Sequence, residues 1–490
     1  MELVIGALYF LVFLVLLRVA KINRATGLRP WIVPASFALK CGVGLLFLQL
    51  YIFQHTDYHL KNDAGAFYRE ATILNNVASE SPADYVMLMT GIGSSDALSQ
   101  KYLGETNHWD SGSQAIFSDN RNIIRVHALI HLISFDSIVV HMLIFSLISL
   151  LGTLLLFLAI RAYTDLKPWI VLALLLLFPN VLFWSSGILK ETFVVFGIGA
   201  FAYGLVVANS RYKKMVFLSM GAIALVLFKP YILIFALVPF FIFWIYVKIP
   251  KYKLAISLGI PLIVGALILL CFPGILYKGT HLLSRKQFDF ANVGRGGMHV
   301  QTDSCFYYFP PEQYQFLRLE GDSVWLNSEL DACKVMHGDL IPPTPIHLFP
   351  NSKAWTLYFD QTPANSFVEL TPINDDPSRL LSTAPSALAS ALFRPIPSDP
   401  GGKLKYLAFF ETLGLFSLII WTLFRHRMLS VNERGFVLSA IVFCILLGLL
   451  IGWTTPVLGA IHRYRLPIQL ALIVCICVAW KPNIQFLKHE

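Results

Sequence analysis

Eleven apolar runs, separated by short charged connections and two long polar segments, constrain what this chain can fold into. Each run is close to the roughly 20 residues that cross about 30 Å of hydrocarbon as a helix. With 56% hydrophobic residues, 14% charged residues and a mean hydropathy of +0.65, the chain has more apolar surface than one soluble core buries. The sequence therefore predicts an all-α polytopic membrane protein with about eleven transmembrane helices, at 3–20, 31–53, 137–160, 168–188, 189–208, 214–228, 231–247, 254–274, 405–424, 435–453 and 464–480. The sixth run is short, and the fourth and fifth could form one broken pair.

The orientation follows from the charge of the short connections. Six of them hold 16 Lys or Arg against 3 Asp or Glu, which the positive-inside rule assigns to the cytoplasm; they are 21–30, 161–167, 209–215, 248–253, 425–434 and 481–490. The N-terminus is then outside and the C-terminus inside. The net charge of +9 is explained by these connections, so we expect no nucleic-acid partner. Basic residues follow the first run and no small-residue cleavage site is present, so that run is predicted to be a retained helix.

Both long polar segments, 55–122 and 278–404, fall on the outer face in this topology. The predicted organisation is two transmembrane helices, an outer-face loop with amphipathic surface helices, a transmembrane core, an outer-face loop-rich subdomain and C-terminal transmembrane helices, at 1–54, 55–136, 137–277, 278–404 and 405–490. The subdomain, rich in Pro, Asp and aromatic residues, is predicted to contain short helices or strands.

One amphipathic surface helix is predicted at the end of the first outer loop. Its pattern puts five apolar residues on a lipid-facing or bundle-facing side and three polar residues off that side. The apolar residues are Ile123, Ile124, Ala128, Leu129 and Leu132, and the polar ones are Arg121, Arg125 and His131.

Two of the seven cysteines, Cys305 and Cys333, share the second outer segment. In an oxidising compartment they would be able to form a disulfide that closes a loop of about 30 residues, and in a reducing one they would be free thiols. The other five lie in apolar runs and are predicted to be packing residues.

Asp63 is the first candidate for chemistry, because it lies soon after the second apolar run and hence near the outer membrane surface. A carboxylate there can take a proton from an acceptor hydroxyl, or hold a divalent cation against a phosphate. The structural alternative is a helix cap, since Asp is common at helix N-termini and 64–71 is compatible with a helix.

The second candidate is the stretch FPNVLFWSSGILKE at 178–191, where Pro179 is predicted to break a transmembrane helix. Backbone groups freed by such a break must face protein or water. Lys190 and Glu191 follow at the turn back into the membrane and are predicted to form a site or an interfacial ion pair.

Basic residues lie at three further places on the predicted outer face. Lys229 is in a tight turn, Arg394 precedes the ninth run, and the connection GAIHRYRLP contains His462, Arg463 and Arg465. Arginines beside a membrane surface are suited to bind a phosphate through paired hydrogen bonds, and the alternative is anchoring to lipid headgroups. We find no HExxH, GxSxG or P-loop pattern and no zinc spacing among the histidines, so no metal site is predicted.

Together, the acidic D-x-x-x-[FY] pattern, the amphipathic helix behind it, the FPxxxFWxSGxxKE turn and the terminal RYRLP resemble the GT-C superfamily of polytopic glycosyltransferases. Members include protein O-mannosyltransferases and the transferase that adds aminoarabinose to lipid A. The resemblance implies a polyprenyl-phosphate-linked sugar donor and inverting transfer to a glycan, lipid or protein acceptor on the outer face. Asp63 would be the general base, and Lys190, Lys229, His462, Arg463 and Arg465 would bind the donor phosphate. Glu191, Arg394 and Tyr68 would support them.

The chain departs from the family pattern in an extra helix before the acidic residue, in lacking a large soluble tail, and in Ala64, where a second acidic residue is common. Because the second acidic residue is missing, the resemblance allows a divalent cation at the site but does not require one. The alternatives are an exported-polysaccharide polymerase or ligase, a transporter or flippase of lipid-linked glycans, and a noncatalytic assembly subunit. In each case we expect a multi-pass protein of the bacterial plasma (inner) membrane.

Overall fold

The computed structural model describes residues 2–20, 22–53, 63–106, 108–109, 116–249, 251–302, 306–335 and 344–481. The described chain is mostly helical. The helices are α1 (Glu2–Val19), α2 (Ile22–Thr26), α3 (Ile32–Phe47), α4 (Asp63–Glu80), α5 (Pro82–Thr90), α6 (Asp96–Leu103), α7 (Asp119–Ser134), α8 (Ile138–Arg161), α9 (Pro168–Leu176), α10 (Pro179–Ser186), α11 (Glu191–Val206), α12 (Arg211–Phe228), α13 (Pro230–Lys248), α14 (Lys253–Cys271), α15 (Pro273–Arg295), α16 (Pro377–Phe393), α17 (Leu404–Phe424), α18 (Val431–Thr454), α19 (Leu458–Tyr464) and α20 (Leu466–Ala479). A π-helical segment, Leu48–Phe53, continues α3.

Seven described helices are long and apolar enough to cross a membrane, and there are nine candidates if each of two bent pairs is one span. The bent pairs are α9 with α10, at an angle of 68°, and α19 with α20, at 47°. Helices α11 and α12 occupy two more of the predicted runs but do not pass the same criteria, the first because it is short. The described helices are therefore compatible with a multi-pass membrane protein, while the count of eleven and the topology stay predictions.

The chain divides into two compact units, Met1–Phe240 with Ser417–Ile441 and Gln469–Glu490, and Phe241–Phe416 with Val442–Ile468. In the first unit, α8 and α11 approach closely at glycines: a Cβ built on Gly199 would overlap the carbonyl oxygen of Gly152. Small residues at such contacts let helix backbones pack tightly in lipid.

Three of the basic connections meet at one end of the first unit. Arg427 donates to the carbonyl of Tyr163 at 2.6 Å, the hydroxyl of Thr164 donates to the carbonyl of Cys477 at 2.5 Å, and the Lys481 N–H donates to Arg425 at 2.8 Å. These contacts group 161–167, 425–434 and the start of 481–490, as a common cytoplasmic face requires.

The predicted break at Pro179 is present, because α9 ends at Leu176 and α10 begins at Pro179. The Thr192 hydroxyl lies 3.3 Å from the Ser185 carbonyl and 3.2 Å from the Gly187 carbonyl. The Lys40 ammonium donates to the Ser185 hydroxyl at 2.7 Å. Side chains of α3 and α11 thus satisfy polar groups at the end of α10, where the chain leaves the helix that follows the break.

The predicted sides of α7 are partly wrong. Ile123, Ile124 and Ala128 are buried as expected, but so are the polar residues placed off that side, Arg121, Arg125 and His131. Leu129 and Leu132 are 55% and 68% exposed. The arginine and histidine side chains of this helix therefore pack into protein. Leu129 and Leu132 face outward, which is favourable at a lipid surface.

The second unit contains a sheet, so the all-α fold class is wrong for segment 278–404, where short helices or strands were predicted. Its seven antiparallel strands are β1 (Gly297–Gln301), β2 (Phe306–Phe309), β3 (Leu317–Glu320), β4 (Ser323–Leu326), β5 (Leu330–Val335), β6 (Thr344–Leu348) and β7 (Trp355–Gln361), in the order β3-β4-β7-β1-β2-β5-β6. One face forms a hydrophobic core of Met298, Val300, Phe309, Leu317, Val324, Leu326, Leu330, Ala332 and Leu348. The second outer segment thus contains a folded subdomain.

Candidate functional site

Asp63 is the first residue of α4 and is partly accessible, with its side chain 47% exposed. It begins a helix whose next turns, Ala64 to Ala71, bury small and aromatic residues. A carboxylate in the first helical turn is stabilised by the helix dipole. Its position is compatible with both expected roles, helix terminus and accessible base.

His108 connects Asp63 with a second carboxylate, that of Glu70. His108 Nδ1 and its main-chain N–H lie 3.0 Å and 3.1 Å from Glu70 Oε1, while Nε2 lies 3.9 Å from Asp63 Oδ1. The Glu70 side chain is only 6% exposed. The two carboxylates therefore face the two nitrogens of one imidazole.

These carboxylates perturb the histidine. Burial disfavours the imidazolium, but interactions with Asp63 and Glu70 outweigh burial and raise the pKa of His108 to about 9. His108 is thus a cation at neutral pH. The sequence contained no local pattern that singled out His108 or Glu70, although the spacing of seven residues places Glu70 on the same side of α4 as Asp63.

Phe67 lies between this cluster and Lys190. Its buried ring packs edge-on against the His108 ring, with centroids 5.0 Å apart, and the Lys190 ammonium is 5.2 Å from its centroid. Asp63 and Lys190, two residues predicted to share a site, are thus linked by a series of three contacts through the rings of His108 and Phe67.

Lys190 is buried where the chain enters α11, and it contacts the start of α7. Its ammonium lies 2.7 Å from Asp119 Oδ2 and 2.5 Å from Asn120 Oδ1. Asp119 is 44% exposed and was missed as a candidate. The next residue, Glu191, pairs with Lys229 at 3.0 Å, and both of these side chains are buried. The turns before α11 and α13 therefore meet, as expected of connections on one membrane face.

Two more cations of α7 surround Trp109. The guanidinium groups of Arg121 and Arg125 lie 5.2 Å and 5.4 Å from its ring. Burial, and then the like charge of Arg121, lower the pKa of Arg125 to about 10. Arginine stacking on an indole is favourable, so Trp109 stabilises the two buried guanidinium groups.

Tyr68 contacts a different group of rings. Its ring centroid is 4.6 Å from that of His131 and 5.0 Å from that of His141, and its hydroxyl donates to the Asp136 carbonyl at 2.7 Å. Burial raises its pKa to about 12, with a smaller effect of Asp136. These contacts are compatible with the predicted supporting role, because they anchor α4 to α7.

The remaining predicted phosphate ligands lie in the second unit. Arg465 is buried and donates to the carbonyls of Leu392 and Arg394 at 2.8 Å and 3.0 Å and to the Thr412 hydroxyl at 2.8 Å. These bonds satisfy carbonyls at the end of α16, so they favour a structural role for Arg465.

The neighbours of Arg465 are also engaged within the second unit. His462 Nε2 lies 3.2 Å from Glu411, Arg394 lies 3.8 Å from Asp399, and the buried Arg463 stacks over Tyr464 at 5.9 Å.

Cys305 lies outside the described residues, so its disulfide with Cys333, which is on β5, stays a prediction. Within the described ranges, no group of three or more His, Cys, Asp or Glu side chains is arranged to hold a metal ion. The amino-acid sequence matches no family model and no curated protein, and the fold matches no solved structure.

Proposed function

We propose that this protein is a membrane glycosyltransferase that moves a sugar from a polyprenyl-phosphate-linked donor to an acceptor hydroxyl on the non-cytoplasmic face. The observation that carries the proposal is the placement of an accessible carboxylate, Asp63, and a buried cation, Lys190, on opposite sides of the contacting rings of His108 and Phe67. Glycosyl transfer from a phosphate needs such a pair, a base for the acceptor and a cation for the leaving group.

In the proposed reaction, Asp63 accepts the proton of the acceptor hydroxyl. The acceptor oxygen forms a bond to the anomeric carbon of the sugar from the side opposite the phosphate. The bond from that carbon to the phosphate oxygen breaks, and polyprenyl phosphate leaves with the electron pair. One displacement of this kind inverts the anomeric configuration.

Lys190 is the best candidate for the donor phosphate among the described cations of the first unit. Its present partner, Asp119, is an anion that is 44% exposed, so the structure already contains an anionic group held at this ammonium. A phosphate would take the place of, or bind beside, that carboxylate. Lys229 differs, because its carboxylate partner Glu191 is itself buried and less able to move away.

The outer-face assignment rests on the charge of the short connections, which predicts a cytoplasmic location for the opposite end. Contacts among 161–167, 425–434 and Lys481 support that grouping.

The test is transfer by the purified protein in liposomes, supplied with polyprenyl-phosphate sugars and a panel of acceptors. We expect Asp63→Asn to reduce kcat at least 100-fold, because general-base catalysis contributes about 10²- to 10⁴-fold. Glu80→Gln, at the exposed far end of the same helix, is the matched control and should retain activity.

Full transfer by Asp63→Asn would exclude the base assignment. If Arg463→Ala abolished activity while Asp63→Asn did not, the polymerase or ligase alternative would be favoured.

A further inference from the structure

We propose that Glu70 and His108 position Asp63, with Glu70 fixing the imidazole and the imidazole holding the carboxylate that meets the acceptor. This inference rests on the proposed function, in which Asp63 acts as the base whether or not Glu70 and His108 position it. Glu70 and His108 would act through Asp63 and would not touch the substrate.

The contacts of Glu70 fix the orientation of His108. One oxygen of this buried carboxylate faces both the ring Nδ1 and the main-chain N–H of His108, at 3.0 Å and 3.1 Å. A residue held at both backbone and ring cannot rotate its imidazole without losing one of these bonds. Nδ1 therefore carries a proton and donates it to the Glu70 carboxylate, and Nε2 points toward Asp63.

The two carboxylates lie on one rigid element. Residues 63 and 70 are two turns apart on α4, about 10 Å along the axis and within about 20° of the same face. Phe67 lies between them on this side and packs edge-on against the imidazole. Helix α4 therefore provides both partners of the histidine and the ring that supports it, so the distance from Glu70 to Asp63 is set by helix geometry.

The charges around His108 explain how this arrangement would assist the proposed reaction. The charged groups around His108 are Asp63 and Glu70, both on α4, and Lys190 on the other side of Phe67. An anionic base near an anionic donor is repelled by it. A histidine cation between two carboxylates offsets this repulsion, and its Nε2–H limits the orientations of the Asp63 carboxylate. Outer partners that orient metal-binding side chains typically contribute about 10- to 100-fold in affinity or activity, and we expect an effect at the lower end of that range here.

The test combines two measurements on Glu70→Gln, His108→Gln and the control Glu80→Gln. In the transfer assay, we expect Glu70→Gln to reduce kcat about tenfold with less than a twofold change in KM for the donor. Its kcat/KM should begin to fall at a pH about one unit below that of the wild type, because one carboxylate partner of His108 is lost. Glu80→Gln should leave both quantities unchanged.

The second measurement needs no activity. Because the folded-state pKa of His108, about 9, exceeds the usual value of about 6.5, its contribution to stability is complete below about 6.5 and is lost as the pH rises through about 9. Subtracting the thermal midpoints of His108→Gln from those of the wild type, between pH 6 and 10, isolates this transition. Glu70→Gln and Asp63→Asn should each move it to lower pH.

The outcomes separate the two proposals. If Asp63→Asn abolishes transfer but Glu70→Gln, still folded, keeps kcat and the pH profile of the wild type, the positioning role is excluded and the proposed function stands. If no donor supports transfer by the wild type, the proposed function fails, and the pH dependence of the thermal midpoint still decides whether Glu70 and Asp63 both act on His108. An unchanged transition in either variant would overturn the inference.

Discussion

Removing one member of the buried Lys229–Glu191 pair should destabilise the protein more than removing both. The ammonium and carboxylate are 3.0 Å apart, and their side chains are 7% and 3% exposed. At an effective dielectric constant of about 20, charges at that distance attract by about 5 to 6 kcal/mol, before the cost of desolvation is subtracted. Measured losses from breaking one side of a buried pair are about 3 to 5 kcal/mol.

We therefore expect Lys229→Met or Glu191→Met alone to cost about 3 to 5 kcal/mol, because each leaves a buried charge without its opposite. The double variant replaces both charges by apolar groups of similar length. It should return to within about 1 kcal/mol of the wild type, since apolar replacements of whole buried pairs are often neutral.

The assay is a double-mutant cycle of unfolding free energies in mixed detergent micelles, with thermal midpoints as a second readout. Single variants that each cost less than about 1 kcal/mol, with additive effects, would refute the reasoning. Transfer activity of the double variant adds a separate result: restored activity would show that Lys229 is not needed to bind the donor phosphate.

Three further predictions concern packing and the second unit. Gly199→Ala should cost about 1 to 3 kcal/mol in thermal unfolding because the new Cβ overlaps the backbone of α8, whereas Gly259→Ala, with open space around it, should cost little. Met298→Ala should cost about 2 to 5 kcal/mol by leaving a cavity in the sheet core, and the exposed Gln301→Ala on the same strand should be neutral by the same measurement. Arg465→Lys should lower the thermal midpoint, because lysine cannot reproduce a forked set of bonds to three acceptors; unchanged stability with lost donor binding would instead favour the phosphate role.

The sequence predicted the membrane helices and the break at Pro179 because both depend on local properties, the length of apolar runs and the missing N–H of proline. The cluster at Lys190 could also be predicted from the sequence, since a charged turn beside a broken helix is unusual. The sheet was harder to predict, because its strands are only four to seven residues long, β6 contains a proline and β2 is a run of four aromatic residues without alternation.

The buried arginines of α7 were misplaced because charged residues were expected to face water. At a membrane surface, the nearest polar surroundings of Arg121 and Arg125 are inside the protein. Both guanidinium groups stack on Trp109, and Arg125 also donates to the Leu88 carbonyl. His108 was missed for another reason. It follows Glu70 by 38 residues, and only folding brings the two together.

The end of α10 links the position of Lys190 to side chains outside the candidate site. Because Lys40 of α3 bonds to the Ser185 hydroxyl and Thr192 of α11 bonds to the Ser185 carbonyl, the turn that ends at Lys190 is held by both α3 and α11. Changes at these inner positions would shift the cation relative to Asp63 while leaving every residue of the candidate site intact. Variants designed to alter donor preference should therefore take into account the residues that pack around this turn, Lys40 and Thr192 among them.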